Sequence, residues 1–163
     1  MSVISTLKQA DIFVDLSTTQ LELIASICQE MTYNTGDIIF EENTSGNELY
    51  IIADGEIQIQ VDPSLVGKGE SSGSQTIATL RRGQSFGEVA LVDEGLRSAR
   101  ARCGVNNTQM LIIARDRLMF LCDSYPQMGY RLMRNLAADL AMKMRNTDLQ
   151  MREYLTWDRR SDD

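Results

Sequence analysis

The chain has 163 residues, 43% hydrophobic and 24% charged, with 16 basic and 23 acidic side chains and a net charge of −7. That is about one domain, long enough for a hydrophobic core without staples; no apolar run approaches a membrane span, and residues 1–10 lack the basic-then-apolar pattern of a secretory signal. There is no histidine, and Cys28, Cys103 and Cys122 are widely spaced, which excludes Ser-His-Asp and Cys-His nucleophile pairs, histidine-ligated metals and a paired-cysteine zinc site.

An odd number of dispersed cysteines fits a reducing, cytoplasmic setting. The charge is unevenly placed. Residues 1–80 carry two basic side chains (Lys8, Lys68) and twelve acidic ones, whereas residues 81–163 carry fourteen and eleven. An acidic body disfavours non-specific nucleic-acid binding, so basic side chains inside it carry information.

The first helix announces itself in Ser17-Thr18-Thr19-Gln20, a capping box with Leu16 and Leu21 placed as its staple. Leu21, Ile24, Ala25 and Cys28 follow at helical spacing. The helix is expected to end before the turn Tyr33-Asn34-Thr35-Gly36.

From Gly36 the period changes to two. Asp37-Ile38-Ile39-Phe40, Glu48-Leu49-Tyr50-Ile51-Ile52, Glu56-Ile57-Gln58-Ile59-Gln60-Val61, Thr76-Ile77-Ala78-Thr79-Leu80 and Gln109-Met110-Leu111-Ile112-Ile113-Ala114 read as strands. Residues 43–47 form a turn, and Asp54-Gly55 between two β-rich runs signals a hairpin. Short strands at this spacing suggest a sandwich or jelly roll. Residues 62–75, rich in Gly and Ser, read as a long mobile hairpin loop. Within it Gly67-Lys68-Gly69-Glu70 resembles part of a phosphate loop without the full spacing, and reads as a solvated tip.

Helical period returns after Asp116: a short helix at 117–124 stopped by Pro126, then a long one from Met128 to about Trp157. Its apolar positions are Tyr130, Met133, Ala137, Leu140, Met144, Met151 and Tyr154, with Thr147 as a polar member. This seven-residue repeat suits a two-helix seam. The stripe can pack on the chain's own barrel, but its second half outlasts what one barrel covers and is assigned to self-association.

The segment with chemistry is Gly83-Gln84-Ser85-Phe86-Gly87-Glu88-Val89-Ala90-Leu91, followed by Leu96-Arg97-Ser98-Ala99. Gly87 permits a tight turn and close approach to a ligand. Residues 88–91 can start a short helix whose free N–H groups attract an anion. Arg97 offers a planar fork for phosphate, and Ser98 a hydroxyl. Glu88 is out of place beside an anion unless it accepts hydrogen bonds from hydroxyls, which ribose supplies. A surface turn with a Glu88–Arg97 salt bridge fits these residues equally well.

Phe86-Gly87-Glu88-Val89-Ala90-Leu91 with Arg97-Ser98-Ala99 resembles the phosphate-binding cassette of cyclic nucleotide-binding domains, above all the effector domains of bacterial catabolite activator proteins. Tyr33-Asn34-Thr35-Gly36-Asp37-Ile38-Ile39-Phe40 and Leu49-Tyr50-Ile51-Ile52-Ala53-Asp54-Gly55-Glu56-Ile57 are similar to that family's barrel strands, and the likeness runs from Phe13 to Trp157. It implies a mainly β fold with flanking helices: an eight-stranded antiparallel β-roll with an N-terminal helix and a long C-terminal helix. One domain then covers 1–163: a helical part at 1–32, the roll at 33–115 with its cassette at 83–99, C-terminal helices at 116–157 and a tail at 158–163. It implies one bound cyclic nucleotide, cyclic AMP in preference to cyclic GMP, with Glu88 on the ribose 2′-hydroxyl. Gly87, Arg97, Ser98 and Ala99 would bind the cyclic phosphate, Val89 and Ala90 count among the ligand-binding residues, and Asn146 and Thr147 match the base-facing positions on the last helix, or else interrupt the seam.

The function expected is a non-enzymatic sensor that shifts its last helix and its homodimer geometry on binding, with no catalytic residue, metal or catalytic cofactor and no membrane partner. A ligand-free dimerisation module and an enzyme such as a phosphodiesterase are the competing readings. Leu96 stands where many family cassettes have proline. The chain ends at Asp163, leaving no room for a helix-turn-helix, so DNA binding by this polypeptide is not expected; the downstream partner is not legible.

Overall fold

The computed structural model describes residues 2–63 and 73–161, with side chains through Trp157. Helix α1 (Val3–Gln9) leads through a 3-10 turn (Asp11–Phe13) into α2 (Thr18–Ala25). The capping box forms as its spacing predicts. Ser17 Oγ accepts from the Gln20 N–H at 3.2 Å, and Gln20 Oε1 accepts from the Ser17 N–H at 3.0 Å.

Strands β1 (Cys28–Tyr33), β2 (Ile38–Phe40), β3 (Glu48–Asp54), β4 (Glu56–Val61), β5 (Gln75–Arg81) and β6 (Ser85–Phe86) follow. After them come a one-turn helix α3 (Val89–Val92), β7 (Arg100–Cys103), β8 (Thr108–Ala114), α4 (Arg115–Ser124) and α5 (Pro126–Ser161). The eight strands of the described residues make two four-stranded antiparallel sheets, ordered β1-β8-β3-β6 and β2-β7-β4-β5. This is the β-roll with flanking helices that the resemblance implies.

The first sheet is buried on both faces, which explains the unbroken apolar run of β3. Leu49 and Ile51 face the helices and pack with Leu7, Ile12, Phe13, Ile24 and Leu132. Tyr50 and Ile52 face the interior of the roll and pack with Ile57, Phe86, Ala101 and Cys103. Alternation puts successive side chains on opposite faces, so a strand with two buried faces has no polar side to show.

Three strands were hidden in the sequence. β1 begins at Cys28, which the spacing assigns to the helix; its residues are mostly exposed, so their own polarity carries no period, and a full ladder to β8 makes them a strand. β7 alternates arginine with small residues: Ala101 and Cys103 are buried while Arg100 and Arg102 reach the surface. β6 has two residues, too few for a period.

Asp54-Gly55 is not a hairpin. It joins β3 to β4, which lie in different sheets and do not pair. Gly55 has a φ of +99°, and a Cβ there would run into Thr108, so glycine serves a corner between sheets. The true hairpin is β4–β5, spanning the glycine-serine segment; its residues 64–72, with the Gly67-Lys68-Gly69-Glu70 fragment, lie outside the described residues.

Pro126 opens α5 rather than merely closing α4, a position where its missing N–H costs nothing. The 36 residues of α5 give a rod of about 54 Å. Met128, Leu132 and Leu136 fill the helical core, with Met133 and Leu140 packed against it. The predicted seam therefore divides: Met133 and Leu140 serve the chain's own core, whereas Tyr130 and Met144 are exposed.

Candidate functional site

A cavity of about 430 Å³ opens between the roll, residues 83–99 and the face of α5. That is within the size range of small-molecule sites. All nine residues expected to bind line it: 87–90 and 97–99 on one side, Asn146 and Thr147 on the other.

Arg97 dominates the cavity electrostatically. The residue is 7% exposed. Its guanidinium carbon sits 4.3 Å from the centre of the Phe40 ring and 5.8 Å from that of Tyr50, a favourable face for a cation. Nη1 donates to Gly87 O and Nη2 to Glu48 O, both at 3.2 Å. Two glycines make room for it: a Cβ on Gly46 would collide with the guanidinium, and one on Gly87 would lie 2.8 Å from Nη1. Gly87 has a φ of +76° besides. The backbone of Arg97 is clamped to the 43–47 turn by its N–H on Thr44 O and by Asn43 N–H on its own carbonyl, each 2.8 Å.

The Glu88–Arg97 salt bridge of the alternative reading does not form among the described residues. Among the described residues Arg97 has no ion pair, and its buried Nε has no hydrogen-bond partner. Burial lowers its pKa from the ordinary guanidinium value, only partly opposed by Tyr50, Glu48 and Glu88 nearby. Glu48 is occupied elsewhere, since its Oε2 accepts from Tyr50 Oη at 2.6 Å. A buried cation without a counter-ion is costly, and an unmet buried donor calls for an acceptor.

Glu88 instead pairs with a residue the sequence reading did not single out. Lys143 Nζ of α5 donates to Glu88 Oε1 at 2.7 Å and to Ser85 O at 2.9 Å, and Asp139 Oδ2 lies 2.8 Å from it. Burial opposes the ammonium, but the charge of Glu88 and its bonds to Asp139 and Glu88 outweigh that and raise the pKa of Lys143. The pairing gathers Glu88 and Asp139 on one ammonium and leaves Arg97 with no counter-ion in contact among the described residues.

The amides of α3 are partly spent. Ala90 N–H donates to Gly87 O at 3.2 Å and Leu91 N–H to Glu88 O at 3.0 Å, so not all the N–H groups of residues 88–91 are free for an anion. Arg115 ties the far end of α3 to the start of α4, Nε donating to Leu91 O at 3.2 Å. Asn146 and Thr147 are exposed on α5; Thr147 Oγ1 bonds its own helix at Lys143 O. An apolar wall of Ile59, Leu80 and Met142 completes the cavity.

Sequence reasoning missed Gly46, Phe40, Asp139 and Lys143. Gly46 lay in a recognised turn but had no visible partner, and Lys143 is one lysine among many charged residues on a long helix. The signal that could have found Lys143 is its place four residues after Asp139, on the helix face that carries Leu132, Leu136 and Leu140 into the core.

The family model for the cyclic nucleotide-binding domain matches residues 30–125. The chain belongs to the cyclic nucleotide-binding domain family. It is 32% identical over 145 residues to the cyclic AMP receptor protein of Thermus thermophilus, covering 89% of this chain and 62% of that protein. It is 34% identical over 95 residues to the cAMP-dependent protein kinase regulatory subunit of Schizosaccharomyces pombe, covering 58% of this chain and 21% of that one. Among solved structures, the Thermus thermophilus catabolite activator protein superposes with a TM-score of 0.72 at 32% identity, over 87% of this chain and 62% of its own. The chain thus spans under two thirds of the length of these relatives. No described helix is long and apolar enough to cross a membrane, and no described group of His, Cys, Asp or Glu could hold a metal.

Proposed function

We propose that the protein is a non-enzymatic sensor that binds one cyclic nucleotide, cyclic AMP in preference to cyclic GMP, in the cavity between residues 83–99 and α5. The observation that carries this is Arg97: a buried, unpaired guanidinium with an unmet donor on the wall of a ligand-sized cavity. A cyclic phosphodiester brings a negative charge to the guanidinium that has no ion pair among the described residues. Ser98 and the amides not spent on α3 supply further donors to the phosphate. The ribose 2′-hydroxyl is assigned to the lone pairs of Glu88 that Lys143 leaves open, and the base to the apolar wall toward Asn146 and Thr147. The preference for cyclic AMP rests on Ser98 beside Arg97 and on relatives named for that nucleotide.

The readout we assign to α5. Its second half projects from the body with Met144, Met151 and Leu155 exposed at spacings of seven and four, a seam for a second copy of this chain. A ligand that favours one seating of α5 over another shifts the dimer geometry by that difference in affinity.

Calorimetric titration tests the ligand. Cyclic AMP is expected to bind once per chain, and Arg97→Ala to weaken it by about 2–5 kcal/mol, roughly thirtyfold to several thousandfold. Unchanged affinity in that variant would overturn the phosphate role. Wild-type protein that shows neither heat nor thermal stabilisation with cyclic AMP or cyclic GMP would favour a ligand-free dimerisation module.

A further inference from the structure

Lys143 stands where α5 leaves the body of the protein. Upstream one face of the helix is fastened to the body: Leu132 and Leu136 are buried, Arg131 Nη1 donates to Asp15 O at 2.6 Å, and Asn135 Nδ2 donates to Ile12 O at 3.0 Å and Val14 O at 2.7 Å. Downstream, every residue from 144 to 157 is exposed. The hydrogen bonds described between α5 and residues 83–99 both come from Lys143, to Ser85 O and Glu88 Oε1. Lys143 thus bonds α5 to the cassette, and one of those bonds is made to the carboxylate assigned to the sugar.

The chemistry of the two groups is unequal. An ammonium has three N–H donors; Lys143 gives two of them to Glu88 and Ser85 and lies 2.8 Å from Asp139 Oδ2 in an ion pair. A carboxylate has about four lone-pair positions, and Lys143 takes one, on Oε1. Glu88 is almost wholly buried and has no other ion-pair partner among the described residues, so without Lys143 its charge would be stranded.

We infer that Lys143 is a positioning residue that acts through Glu88: it holds the carboxylate aimed so that its open lone pairs receive the sugar hydroxyls, and by the same bond it sets where α5 departs from the roll. The ligand, Glu88, Lys143 and the projecting half of α5 then form one connected chain, with Asp139 steadying the ammonium from one turn away. The ligand half of this inference rests on the cyclic nucleotide reading; the fastening of α5 does not.

Lys143→Met, Glu88→Gln, their combination and Lys143→Arg, each in the full chain, test it with two readouts. By calorimetry with cyclic AMP, Lys143→Met is expected to weaken binding about tenfold or more, the size of a lost charged hydrogen bond. Added to Glu88→Gln it should cost nothing further, because the two act as one unit, and Lys143→Arg should recover most of the loss. By amide hydrogen exchange without ligand, Lys143→Met and Glu88→Gln should each speed exchange at residues 137–150 and leave residues 128–136 unchanged. Binding as tight as or tighter than wild type in Lys143→Met, or losses that add in the double variant, would overturn the action through Glu88. Unchanged exchange would overturn the fastening. If wild-type protein binds no cyclic AMP, the ligand reading falls and the exchange measurement decides the fastening alone.

Discussion

The most constrained side chain in the molecule is Arg97, and its constraint is steric before it is electrostatic. Gly46 and Gly87 flank the guanidinium, and Phe40 stacks on it; each leaves room or a π face where another residue would block it. Cys28 shows the opposite use of burial. Its Sγ donates to Ile24 O at 3.3 Å, and burial first, then the charge of Glu30, push its pKa up from 9.0 to about 12. A folded-state value above the unfolded one means that the neutral thiol is favoured by folding. The stabilisation is whole below pH 9.0 and drains away as pH rises toward about 12. Tyr33, Tyr50, Cys122 and Lys143 are raised in the same sense. Melting temperature followed by circular dichroism is thus expected to fall steadily above pH 9, and Cys28→Ser, whose hydroxyl keeps the hydrogen bond but does not titrate, to flatten that fall. An equal slope in the variant would assign the alkaline loss to the other groups.

At the level of the helix, α5 is two structures in one. As far as Leu140 it belongs to the helical core; from Met144 to Trp157 every residue is exposed. Met144, Met151, Tyr154, Leu155 and Trp157 are more than half exposed, an apolar load that a lone solvated helix does not need. Sedimentation equilibrium is expected to give twice the chain mass of 18.3 kDa. Met151→Glu with Leu155→Glu should return the monomer, because two carboxylates would face their own copies across the seam. A wild-type monomer at tens of micromolar would remove the seam. The partition also explains how one seven-residue repeat runs through both halves: Met133 and Leu140 keep its period while being held by the core.

For the molecule as a whole, the first sheet is the shared wall of two cores. Leu49 and Ile51 of β3 look toward the helices, Tyr50 and Ile52 into the roll, so helices and roll should unfold together. Leu132→Ala, far from the cavity, is expected to cost about 2–5 kcal/mol in urea denaturation, in one transition seen alike by fluorescence and circular dichroism. Two separated transitions would show that the layers are independent. The cavity depends on this wall as well, since Tyr50 and Phe86 stack at 4.9 Å within it and Phe40 lies 5.6 Å from Tyr50, carrying Arg97 on their rings.

Local grammar was written plainly in the chain. The capping box, the strict alternation of residues 56–61, the stop of the short helix before Pro126 and the glycine–acid–arginine–hydroxyl order of residues 87–98 could all be read along one stretch, because each is a pattern written within a few residues. What could not be read is what lies across space. Asp54-Gly55 has the letters of a hairpin, yet Thr108, more than fifty residues on, makes it a corner; β1 is a strand because β8 pairs with it. Glu88 meets Lys143 rather than Arg97 because α5 folds back over the cassette. Hydrogen bonds and ion pairs between distant segments depend on how the layers stack, and no period or spacing within a segment records that.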